Sequence, residues 1–100
     1  AGRIAHAIGT AATFAGGIQQ AFLSDSMSKP LHPGHAADAG ALAAIGAAAG
    51  VTGAMDALHG PQGYAAATSE DQGKWDKALA GLDESFAITA MTFKNHGCCG

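Results

Sequence analysis

Twelve of the fifteen residues from Ala36 to Gly50 are alanine or glycine. Side chains this small cannot bridge widely spaced elements, so a helix built from them must lie with its backbone close to a neighbour. The bias extends to the whole chain, which has 25 alanines and 15 glycines in 100 residues, against 20 residues of Val, Ile, Leu, Met, Phe and Trp. The 48% hydrophobic share is therefore mostly alanine. Short chains already bury proportionally less surface than long ones. The expected core is thin, and it is expected to be completed against neighbouring chain or another subunit.

Charge and cysteine usage exclude several classes. The net charge is −3 with five lysines and arginines, which is no electrostatic footprint for nucleic acid or an anionic membrane. The uncharged run Ile4–Ser24 is interrupted by Gln19 and Gln20, and Ala39–Met55 is mostly alanine and glycine. Neither has the sustained apolar character of a membrane span. The glycines have no three-residue period, which removes collagen. Cys98 and Cys99 are adjacent and cannot supply a disulfide framework. A reducing, cytoplasmic setting is the expectation.

Periodicity predicts a mainly helical chain. Ile4, Ile8, Ala11, Ala15, Ile18 and Phe22 recur at steps of four and three, predicting a helix over residues 1–23 that Gly16–Gly17 weakens or kinks. Ser24–Gly34 carries serines, Asp25, Pro30 and Pro33 and reads as a loop. Each proline disfavours helix at the residue before it, so Lys29 and His32 are expected to be extended. A second helix is expected over His35–Val51, where Gly46 and Gly50 would allow close backbone packing. Gly53–Leu58 reads as a short helix stopped by Gly60-Pro61, and Tyr64–Thr68 as a further turn. Ser69 to Gln72 has capping-box form, with Trp75, Ala78, Leu79 and Leu82 on the helical face behind it, Glu70 and Lys74 paired on the wet side, and Gly81 as the stop. Phe86–Phe93 is β-branched and aromatic and predicts a buried strand.

Chemistry concentrates in the loop. Ser26, Ser28, Lys29, His32 and His35 crowd the start of the second helix. Free backbone N–H groups at a helix start, together with a lysine, suit a carboxylate or phosphate. The plain alternative is a solvated lysine among capping residues. His32 and His35 lack the further ligand that a metal site needs. Lys94 follows the apolar strand, where it either faces a site or marks the return to water. Cys98 or Cys99 would need His96 as activating base to act as a nucleophile. Gly60-Pro61-Gln62-Gly63 has the form of a nucleic-acid clamp without its basic flanks, so a turn is the better reading.

The order of these motifs is more telling than any one of them. Ser28-Lys29-Pro30-Leu31-His32-Pro33-Gly34-His35-Ala36-Ala37 leads into the small-residue helix. Leu58-His59-Gly60-Pro61-Gln62-Gly63-Tyr64 and then Thr92-Phe93-Lys94 follow. In this the chain resembles the MmgE/PrpD family, which includes 2-methylcitrate dehydratase, cis-aconitate decarboxylase and iminodisuccinate epimerase. The resemblance implies a large all-helical domain and a smaller α+β lid domain, in a homodimer. On that basis residues 1–84 would be the last part of the helical domain and residues 85–100 the first strand of the lid.

The resemblance also implies a reaction class. The family acts on small di- and tricarboxylates with no metal or other cofactor. Dehydration of a 2-methylcitrate-like substrate is the leading expectation, with decarboxylation or epimerisation on the same scaffold as alternatives. A non-enzymatic role as a helical assembly module would need no chemistry at all. Lys29 and Lys94 match the family's two lysines and His32 its loop histidine, so these three are the expected catalytic residues. Ser28 and His35 would bind substrate. Ser26-Met27-Ser28 stands where the family usually has threonine, methionine and threonine, and Asp25 where it has glycine. The family's catalytic aspartate and histidine would lie upstream of Ala1, so the 100 residues alone are expected to be inactive.

Overall fold

The structure, a computed structural model, describes residues 2–70 and 73–93. It is mainly helical, with no strand among the described residues. The helices are α1 (Gly2–Thr13), α2 (Gln20–Leu23), α3 (Leu31–Ala48), α4 (Tyr64–Thr68) and α5 (Trp75–Leu79), followed by a 3₁₀ turn at Ala87–Ala90. The core is the contact of α1 with α3.

That contact is built from the smallest side chains in the chain. Ala39, Ala43 and Ala47 recur every four residues on one side of α3 and are 8%, 2% and 4% exposed. On α1 the buried residue is Gly9. The segment after α3 crosses α1 at backbone contact: a Cβ on Gly9 would run into the carbonyl of Ala54, and one on Gly53 into the carbonyl of His6 and into Thr10. Alanine and glycine here act by bringing main chains together, and so gain dispersion contacts that larger side chains would prevent. The close approach was expected at Gly46 and Gly50, but it falls elsewhere. A Cβ on Gly46 would make only an ordinary contact with Val51, and Gly50, at φ +99°, ends the helix. The Gly50 N–H donates to the carbonyl of Ala47 and the Val51 N–H to that of Gly46, the paired bonds of a Schellman stop.

All twenty large apolar residues remain at least 37% exposed. The radius of gyration is 16.3 Å, against about 13 Å for a compact domain of this length. The accessible surface is 8268 Å², where a folded monomer of this mass exposes roughly 5,200 Å². The thin core read from composition is what the fold shows.

Local structure departs from the sequence expectations at four places. The first helix is split: α1 ends at Thr13, and the chain reverses through Gly17 at φ +88° before the single turn of α2. The glycine pair ends the helix rather than kinking it, because the left-handed conformation at Gly17 cannot continue a right-handed helix. Second, α3 starts at Leu31, four residues ahead of the expected His35, and His32 is helical rather than extended. Pro30 caps the helix at φ −61° and Pro33 lies in its first turn, where a missing N–H leaves no helical bond unmade. Third, Met55–His59 forms successive turns instead of a helix. The Ser69 hydroxyl donates back to the carbonyl of Ala65, at the end of α4. Gln72, the other half of the expected capping box, lies outside the described residues. Helix α5 begins only at Trp75, so Glu70 and Lys74 precede it. Its Trp75 meets His59 edge to face, with ring centroids 6.1 Å apart.

The fourth departure is Phe86–Phe93. Ala87–Ala90 makes a 3₁₀ turn with extended residues at Phe86 and Met91 on either side. A strand satisfies its backbone only against a partner strand, and the described residues offer none. The apolar side chains of this segment are exposed, with Phe86 at 65% and Ile88 at 73%.

Candidate functional site

The loop from Ser24 to Pro30 joins α2 to α3 and is organised by its own serines. The Ser26 and Ser28 hydroxyls are 2.7 Å apart, and the Ser28 N–H donates to the Ser26 hydroxyl at 3.2 Å. A tight turn follows, in which the Leu31 N–H donates to the Ser28 carbonyl and the His32 N–H to that of Lys29. The turn reverses the chain, so Lys29 comes back over α2. Its Nζ stands 4.8 Å from the centroid of the Phe22 ring. That is cation–π range, worth about 0.5–1 kcal/mol at an exposed site.

His32 approaches the same ring from another side. The two rings meet edge to face, with centroids 6.5 Å apart and planes at 62°. The other flank of His32 is the Gly17 turn, where a Cβ would lie 3.2 Å from the imidazole Nδ1. His35, one turn further along α3, has its Nε2 3.8 Å from where a Cβ of Gly16 would sit. Ser28 and His32 are half-buried, whereas Lys29 and His35 are exposed. Five residues therefore form one corner: Phe22, Ser28, Lys29, His32 and His35, backed by Gly16–Gly17.

The structure brings together four of the five residues singled out from sequence. The fifth, Lys94, lies outside the described residues, as do His96, Cys98 and Cys99. Sequence reasoning missed Phe22 as a member of the corner. It reads as one more apolar position in the row Phe14, Ile18, Phe22, and its contact with Lys29 exists only because the serine turn folds the chain back.

The electrostatics of the corner rest on side chains more than on the helix start. The N–H groups of Leu31 and His32 are already bonded within the turn, and Pro33 has none. The expected cradle of free backbone donors is thus largely absent. What remains is the Lys29 ammonium, two imidazoles, the Ser28 hydroxyl and the positive end of the α3 dipole. This set can hold a carboxylate and supply or accept a proton beside it. Among the described residues, no cluster of three or more His, Cys, Asp or Glu side chains could hold a metal ion.

A cavity lies on the far side of the glycine turn. An open cleft of about 730 Å³ runs between the end of α1, Gly16–Gly17, the Gly60–Gly63 loop and α4. The loop is a turn, closed by the Gly63 N–H donating to the Gly60 carbonyl, as expected from its sequence. Thr13, Asp56, Gln62, Tyr64 and Thr68 supply the polar lining, and among the described residues no lysine, arginine or histidine lines it. A di- or tricarboxylate placed there would meet the Asp56 carboxylate and, among the described residues, no cation. Size favours the cleft, but charge favours the Lys29 corner, and desolvating an anion without a countercharge is the greater penalty.

The comparisons agree with the motif order. The sequence model described as the MmgE/PrpD N-terminal domain matches residues 1–76. The match takes in α1 to α4 and the whole Lys29 corner. No curated protein and no solved structure matches the chain significantly. No helix among the described residues is long and apolar enough to cross a membrane.

Proposed function

The chain belongs to the MmgE/PrpD family, and from that premise we propose that it forms part of a lyase acting on small di- and tricarboxylates. The closest reaction is dehydration of a hydroxy-tricarboxylate of the 2-methylcitrate type. One observation carries the proposal: the Lys29 ammonium and the His32 imidazole flank a single aromatic ring, Phe22, at the positive end of α3.

In that reaction a base takes the proton α to a carboxylate. The electron pair forms the carbon–carbon double bond, the neighbouring C–O bond breaks, and the hydroxyl leaves as water after gaining a proton. Lys29 would bind the carboxylate next to the breaking C–H bond and oppose the negative charge that develops on it. His32, within the same corner, would orient that carboxylate or move the proton. Ser28 and His35 would fix the remaining carboxylates. We assign Lys94 the parallel cationic role from the far side of the substrate, as the family resemblance implies. The same parts serve a decarboxylase or an epimerase, and the reaction product distinguishes the three.

The test is the ultraviolet absorbance of a new double bond when the protein that carries this chain is incubated with 2-methylcitrate. The expected result is turnover that falls about 100-fold or more in Lys29→Ala, the usual consequence of deleting one stabilising group at a developing charge. Release of CO₂, or inversion without loss of water, would move the assignment to decarboxylation or epimerisation. Full activity in Lys29→Ala would overturn it.

A further inference from the structure

Phe22 is a large apolar residue left 54% exposed on a helix of only four residues, Gln20–Leu23. Its surroundings are unlike those of the other exposed apolar side chains: a cation 4.8 Å from the ring centroid and an imidazole in edge-to-face contact. The face of an aromatic ring is negative and its edge positive. An ammonium therefore favours the face, and an imidazole meets the ring edge to face.

Lys29 has four rotatable side-chain bonds and sits on an exposed loop, so its ammonium would otherwise sample many positions. Fixing it in advance removes part of the ordering cost of substrate binding. His32 is confined from its opposite flank by Gly17, where a Cβ would come within 3.2 Å of Nδ1. The ring thus closes a short chain of contacts from Gly17 through His32 to Phe22 and Lys29.

Resting on the lyase reading above, we propose that Phe22 is a positioning residue. It holds the Lys29 ammonium over its ring and the His32 imidazole in edge-to-face contact, so that the two groups address one carboxylate substrate. Phe22 itself touches no reacting atom. Its effect passes through Lys29.

Two readouts test this. The first needs no turnover. Lysines dimethylated with ¹³C keep their charge, and the Lys29 methyl signal, assigned by its loss in Lys29→Arg, should lie upfield of the other lysines because of the ring current. That shift should vanish in Phe22→Leu and persist in Phe22→Tyr. The second readout is kcat/KM for the hydroxy-tricarboxylate with unmodified enzyme. It should fall about two- to fivefold in Phe22→Leu, the range expected for an exposed cation–π contact, and recover in Phe22→Tyr. A trifluorinated phenylalanine at position 22 keeps the shape of the ring but drains charge from its face, so it should reproduce most of the loss in a folded protein. An unchanged Lys29 signal in Phe22→Leu, or full activity with the fluorinated ring, would overturn the proposal. If the wild-type protein turns over no hydroxy-acid, the lyase reading fails, and the ring-current shift alone decides whether Phe22 positions Lys29.

Discussion

The two sides of the Gly16–Gly17 turn divide what a binding site needs. On one side lies a cleft of about 730 Å³ whose described lining has hydroxyl, amide and carboxylate groups but no cation. On the other side Lys29 and His32 meet Phe22 at the start of α3, with His35 one turn further along and against Gly16. The contrast teaches that concavity and chemistry are separable properties. Hollow space follows where a glycine turn leaves a gap that the small side chains beside it do not fill. Chemistry follows from a particular sequence of turn, cation and imidazole. For a polyanionic substrate the second property decides, because an uncompensated carboxylate is far costlier to desolvate than a shallow surface is to cover.

The largest effect that sharpens this contrast is expected at His32. His32→Ala should lower kcat about 100-fold if the imidazole moves a proton, with the melting temperature nearly unchanged because the side chain is only half-buried. A loss confined to KM would limit His32 to binding. Next is Ala43→Leu in the α1–α3 contact, where the residue is 2% exposed and the neighbouring main chains are closely packed. Overpacking there should destabilise by about 1–3 kcal/mol in denaturant unfolding, with kcat/KM intact at temperatures where the protein stays folded. Gly17→Ala acts on the turn itself. A Cβ at φ +88° should cost about 1–2 kcal/mol, and it would also press on His32. Stability and activity should therefore fall together, whereas a purely structural turn would lose stability alone. Smallest is Tyr64→Phe in the cleft, which should change kcat/KM less than about twofold, within the range of an uninvolved surface substitution. A tenfold loss there would break the contrast and move the site into the cleft.

The sequence made parts of this architecture legible for identifiable reasons. The run from Ala36 to Gly50 announces a close-packed helix because alanine and glycine leave no other way to fill space. Gly16–Gly17 marks a break and Gly60–Gly63 a turn because glycine supplies conformations and approaches that other residues resist. The grouping of Ser28, Lys29, His32 and His35 was visible as proximity along the chain. What sequence could not show was the first turn of α3. The rule that disfavours helix before proline applies to His32, yet the turn from Ser28 to Leu31 starts the helix early enough for Pro33 to fall where its N–H is not needed. The partnership of Phe22 with Lys29 was hidden for the same reason, since it depends on how that turn reverses the chain. The strand over Phe86–Phe93 was read from residue type alone. Residue type favours an extended segment, but only a partner strand can make it a sheet.

The most direct test of the central claim is a titration of the protein with tricarballylate, a tricarboxylate with no hydroxyl to lose, followed residue by residue by NMR. Saturable shifts are expected at Lys29, His32, His35 and Phe22, with Tyr64, Thr13 and Gln62 unmoved. Shifts at Tyr64 and Gln62 with a silent Lys29 would place the anion in the cleft and contradict it.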